Sequence, residues 1–125
     1  MKYLCLVCAE TLMEQMPEAA AERHYEEYAE FTESIRKSGH YIDVNRLAPP
    51  DTAVTVRVRN GKVSFTDGPF AETKEQLGGY YLIEARDLNE AIQVASRIPG
   101  ARVGCVEVRP IAEDTQTLRA LGLST

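Results

Sequence analysis

The chain has 125 residues, with 14 Lys plus Arg against 19 Asp plus Glu and a formal net charge of −5. That length predicts one domain over residues 1–125, able to hide about two-thirds of its unfolded surface without disulfides or a structural metal. A composition of 44% hydrophobic and 26% charged residues excludes intrinsic disorder, and net acidity argues against a nucleic-acid binder. No apolar run approaches the roughly 20 residues of a membrane span, and the charged start is too short for a signal peptide, so a cytoplasmic protein is expected.

Residues 2–9 predict a strand that is apolar on both faces, Tyr3, Cys5 and Val7 on one and Leu4, Leu6 and Cys8 on the other. Such a strand belongs in the middle of a sheet. Pro17 and Glu18 suit a helix start, and the helix runs to about Ser38 with Gly39 as its stop. Its apolar stripe includes His24, Tyr28, Phe31 and Ile35, at steps of four, three and four. A second strand over residues 41–45 ends before Pro49-Pro50.

Next, Val54, Val56 and Val58 alternate with polar residues, and Asn60-Gly61 is the signature of a type I′ hairpin turn. A two-residue loop pairs Val58 with Val63 and Val56 with Phe65, which puts all four on one face. A polar segment over residues 67–78 leads to a strand at 79–85. Asp87 then caps a helix that turns Leu88, Ala91, Ile92, Ala95 and Ile98 inward and stops at Pro99-Gly100. The last strand covers about residues 103–109, before a polar tail that is helical around 113–121.

Strand, helix, strand, inserted hairpin, strand, helix, strand is the order of an α+β, ferredoxin-like split βαβ domain with an antiparallel sheet. Both helices then lie on one face. The other face carries Leu4, Leu6, Cys8 and either the Tyr80–Leu82 or the Tyr81–Ile83 set, an apolar patch of the kind that marks an interface. A homodimer with the two sheets packed face to face is expected.

Cys5-x-x-Cys8 has metal-ligand spacing, but residues three apart in a strand point to opposite faces. With Cys105 in another strand, buried inert thiols are the favoured reading, and no metal site is indicated. His24 reads first as a partly buried histidine holding one hydrogen bond. The functional reading makes it a general acid or base tuned by a carboxylate. His40, just past Gly39, belongs on a loop. Asp67 shares the parity of Val63 and Phe65, so it points to the apolar side, either as a turn former or as a carboxylate at a pocket mouth. Glu72, Lys74 and Glu75 are an ordinary solvated loop or a set of ligand contacts beside Asp67. Tyr80 and Tyr81 offer hydroxyls or interface packing, and Arg46, Arg57 and Arg59 suit an anion or a polar face.

The run Thr66-Asp67-Gly68-Pro69-Phe70-Ala71-Glu72-Thr73-Lys74-Glu75-Gln76-Leu77-Gly78-Gly79-Tyr80-Tyr81 resembles the signature of the DGPF proteins of the YCII-related family. The similarity takes in Leu47-Ala48-Pro49-Pro50, Thr55-Val56-Arg57, residues 87–98 and Val106-Glu107-Val108-Arg109-Pro110. It implies a ferredoxin-like fold that dimerises as an α+β barrel. It also implies a small enzyme built on a His–Asp pair, the His on the first helix and the Asp in an Asp-Pro step after the second. His24 takes the first role. The second position reads Ile98-Pro99, with no acid, and Asp67 is the substitute. The resemblance further implies encoding beside extracytoplasmic-function sigma factors.

Two functions follow as expectations. One is a cofactor-free small-molecule enzyme or ligand-binding protein, with His24 as general base and Asp67 orienting it or carrying the second proton. Glu72, Lys74, Tyr81 and Arg46 then position substrate. The other is a non-catalytic dimeric module that partners a sigma factor.

Overall fold

A computed structural model describes residues 1–123. It contains strands β1 (Lys2–Ala9), β2 (Tyr41–Arg46), β3 (Val54–Arg59), β4 (Lys62–Asp67), β5 (Gln76–Glu84) and β6 (Cys105–Pro110). The helices are α1 (Glu18–Lys37), α2 (Leu88–Ala95), α3 (Gly100–Val103) and α4 (Thr115–Ala120). Four strands form an antiparallel sheet in the order β2-β5-β1-β6, and β3-β4 stands as a separate ribbon. This is the ferredoxin-like α+β arrangement.

The doubly apolar β1 sits at the centre, between β5 and β6. Tyr3 and Cys5 face the helices and are buried with Tyr81 and Ile83 of β5 and Ala85 just after it, Phe31 and Ile35 of α1, and Ala91, Val94 and Ala95 of α2. That parity resolves the choice on β5: Tyr81 and Ile83 face the core, while Tyr80 and Leu82 pair with Leu6 and Leu4 on the open face. Asp87 accepts a hydrogen bond from the Glu90 amide and so caps α2.

Three boundaries differ from the pattern reading. β5 starts at Gln76 because the chain bulges opposite Val7 and Cys8, which lets the strand run into the polar segment. Pro99-Gly100 does not simply end a helix; Pro99 has helical φ and ψ and opens α3, where a proline lacks no needed donor. β6 consequently begins at Cys105.

The hairpin register is as the turn dictates, Val58 opposite Val63 and Val56 opposite Phe65, with Asn60 and Gly61 at φ 53 and 75. Its position is the surprise. The ribbon stands off the body as an arm, and Val54, Val56, Val58, Val63 and Phe65 are each between 55% and 72% exposed. Asp67 does share their face, opposite Val54, but that face meets solvent instead of the core. Alternation reports which residues share a face, and it is silent on what the face touches.

Gly104 lets α3 and β6 close against the end of β1: a Cβ there would land on the Cys8 carbonyl oxygen and within 2.9 Å of Ala9 Cβ. Backbone cannot yield as a flexible side chain does. Gly104→Ala should lower stability by about 3 kcal/mol in urea titration, the upper end of ordinary overpacking.

Candidate functional site

A cavity of about 490 Å³ opens between α1, from His24 to Arg36, and the ends of β1, β2 and β5. Its existence follows from the residues along the α1 stripe. Phe31 and Ile35 are fully packed, whereas the stripe continues into His24 and Tyr28. Opposite them the walls include Gly78, Gly79, Ala9 and Gly100, which have little or no side chain to fill the gap. A Cβ at Gly100 would stand 2.5 Å from Val7 Cγ1 and 2.6 Å from the Tyr28 hydroxyl, so a larger residue there would have to displace both.

His24 lines the cavity and is 7% exposed, the one buried polar or charged side chain among the described residues. No hydrogen bond holds its ring among those residues; Glu27 Oε1 stands 4.0 Å from Nδ1. Burial holds the imidazole below its ordinary pKa, nearby Arg102 adds to that, and Glu27 opposes it. A neutral imidazole facing an apolar cavity can accept a proton. Arg102 donates a hydrogen bond to the other oxygen of Glu27, so an Arg102–Glu27 ion pair stands beside the His24 ring.

The phenols play a different part. The Tyr28 ring meets His24 edge-on at 5.0 Å and stacks with Tyr81 at 6.3 Å. Burial pushes the Tyr28 hydroxyl up to about 12, against a hydrogen bond from the Gly100 backbone. Burial also raises Tyr81, against a hydrogen bond with Thr32 Oγ1 at 2.6 Å. Both are protonated donors at neutral pH. At the mouth, Arg46 Nη1 donates to the Tyr25 hydroxyl at 3.0 Å and Nη2 to Glu14 Oε2 at 2.9 Å.

Of the residues singled out in the sequence, Cys8, His24, Arg46, Tyr80 and Tyr81 line the cavity. Asp67, Glu72 and Lys74 do not line it. Asp67 is exposed at the base of the arm, Glu72 is exposed on the loop that follows, and Lys74 reaches Glu10 at 3.3 Å in solvent. The residues that pattern reasoning passed over are Glu27, Tyr25 and Glu14. Glu27 was detectable, because three residues beyond His24 is one helical turn. Glu14 had no signal, since it lies in an aperiodic stretch before Pro17.

The remaining candidates have structural surroundings. His40 Nε2 meets Glu90 Oε1 at 3.1 Å and its Nδ1 meets Ser38 Oγ at 2.7 Å, tying β2 to α2. Cys5 is buried in the core, where burial raises its thiol to about 11, and Cys8 points to the opposite face. Cys105 corrects the expectation of burial: it is exposed, opposite Cys8 on the neighbouring strand.

The electrostatics of His24 are testable without a ligand. Because folding lowers its pKa from 6.5, the unfolded chain binds the extra proton between the two values. Stability conferred by this group is therefore full above 6.5 and declines as pH falls through the folded value. His24→Asn should remove that slope from urea midpoints measured across mildly acidic pH. By NMR titration, Glu27→Gln should lower the His24 pKa further and Arg102→Met should raise it.

A family model described as the YCII-related domain matches residues 1–114. An uncharacterised protein of Rhizobium meliloti (strain 1021) is 45% identical over 78 residues, which cover 61% of this chain and 63% of that protein. The chain thus spans under two-thirds of the curated relative it matches. No helix among the described residues is long and apolar enough to cross a membrane. With an α+β fold and a family match over nearly its whole length, this chain belongs to the YCII-related family.

Proposed function

We propose that the chain binds a small, largely apolar molecule between α1 and the sheet and moves a proton on it, with His24 as the proton acceptor. The observation that carries this reading is the unpartnered, nearly buried His24 ring on the cavity wall. Its ring nitrogens remain accessible from the cavity, since no side-chain nitrogen or oxygen among the described residues is both buried and unpartnered, so they are free to meet a bound molecule. A cavity of this size suits an ordinary small-molecule site. The substrate proton goes to the imidazole and returns to substrate or solvent. Tyr28 and Tyr81 keep their protons and hydrogen-bond or pack against the bound molecule, and Arg46 holds an anionic group at the mouth. Asp67, Glu72 and Lys74 have no part in this step.

A thermal-shift screen of small metabolites against the wild type and His24→Asn tests it. Compounds that stabilise the wild type should map to the cavity, and His24→Asn should cut turnover of any substrate by about 100-fold or more, within the usual range for acid–base groups. Equal turnover by His24→Asn, or hits that map elsewhere, would sink the reading.

The exposed arm favours a second reading, a non-catalytic dimeric regulatory module, whose extracytoplasmic-function sigma-factor partner is what the family resemblance implies. Two apolar surfaces support it: the arm, and the open sheet face bearing Leu4, Leu6 and Leu82. Sedimentation should then show a dimer that the double change Val56→Asp and Phe65→Asp converts to monomer. Sigma-factor co-purification that survives His24→Ala would support this module over the enzyme. An unchanged oligomer in the double variant would remove the arm from any interface.

A further inference from the structure

The charged groups on the cavity wall are not equivalent. Arg36 lies 4.2 Å over the Tyr41 ring, and Glu33 reaches Lys37 at 3.9 Å. Each of these is engaged with a residue outside the cavity lining. Arg46 differs, since both of its partners, Glu14 and the Tyr25 hydroxyl, are themselves cavity wall. A guanidinium has five donors in a planar fork that matches a carboxylate, and these two bonds use two of them.

Glu14 arrives on a single 3-10 turn, Met13–Gln15. Its neighbours Leu12, Met13 and Met16 also line the cavity, and methionines are adaptable packing groups. A carboxylate is therefore delivered to Arg46 by a short segment on which the apolar Leu12, Met13 and Met16 face the same space. Arg46 itself is half exposed, so the pair is solvent-screened and separable at little cost.

The strand supplies a ruler. Arg46 pairs with Gly79 and Val44 with Tyr81, so two residues of β2 separate the backbone of Arg46 from the position opposite Tyr81. That is about 7 Å at the rise of a strand. Tyr25, next to His24 on α1, links the two ends through its bond to Arg46. Between them lie Val7, Val44, Tyr28 and Tyr81, which offer apolar and ring surface.

Resting on the cavity reading above, we propose that the ligand of this site is a monocarboxylate with an apolar body. Its carboxylate takes the place of Glu14 on Arg46, and the body lies against Tyr28 and Tyr81 toward His24. In the free protein Glu14 is an internal stand-in for that carboxylate, so ligand binding competes with it.

The test uses phenylacetate, cinnamate and octanoate, each beside its neutral amide, titrated into labelled full-length protein with the His24 ring resonances as readout. At least one acid should bind better than its amide. Glu14→Gln should tighten that acid about threefold and leave the amide unchanged, because the competitor is gone. Arg46→Met should weaken the acid about tenfold or more, as loss of a charge-assisted bond does, again without effect on the amide. Acids and amides of equal affinity, or acids indifferent to both substitutions, would overturn the carboxylate assignment. If amides still moved the His24 resonances, the cavity reading would stand without it. Failure of all six compounds to bind at millimolar concentration would also overturn the assignment, leaving the cavity reading to the metabolite screen.

Discussion

The structure depends on one helix laid across one sheet. The α1 stripe is long enough to cross the sheet, but it is filled unevenly. Toward the C-terminal end Ile35 and Phe31 press on β1 and β5, and burying side chains of this kind contributes about 1.5–3 kcal/mol each. Toward the N-terminal end the same stripe offers an imidazole and a phenol above glycines. The well-packed half holds the helix at a fixed distance. The other half therefore cannot collapse, and the cavity is the gap left by that mismatch.

That same division explains the charge state of His24. The packed end fixes α1, so the ring cannot turn outward without giving up its place against Tyr28. Burial then favours the neutral form, and Glu27 and Arg102 pull in opposite directions. Glu27 comes from the histidine's own helix, and Arg102 from the short α3 that follows Ile98-Pro99.

Much of the fold was legible in residue patterns, for identifiable reasons. β1 announced its central place by being apolar on both faces, and the Asn60-Gly61 turn set the arm's register. The α1 stripe predicted the burial of His24, Phe31 and Ile35. Asp67 was misjudged because periodicity cannot tell a core from an arm. Arg46 and Tyr81 were found at the cavity by residue type, whereas Glu14 was invisible: its role comes from a nonperiodic turn that only the folded chain brings across to β2. Glu27 needed only the one-turn rule applied to a polar pair.

The central position of β1 has a consequence for how the chain folds. Its partners, β5 and β6, begin 74 and 103 residues after Lys2, the first residue of β1. The segment around which the sheet is built is made well before either partner, so it has no neighbour to pair with until those later segments emerge. Pairing over such separations must bear a loop-closure cost before its contacts contribute, which slows folding. α1, being local, can form early and shelter the apolar face of β1. The strand that organises the finished molecule is thus the one longest dependent on its helix during synthesis.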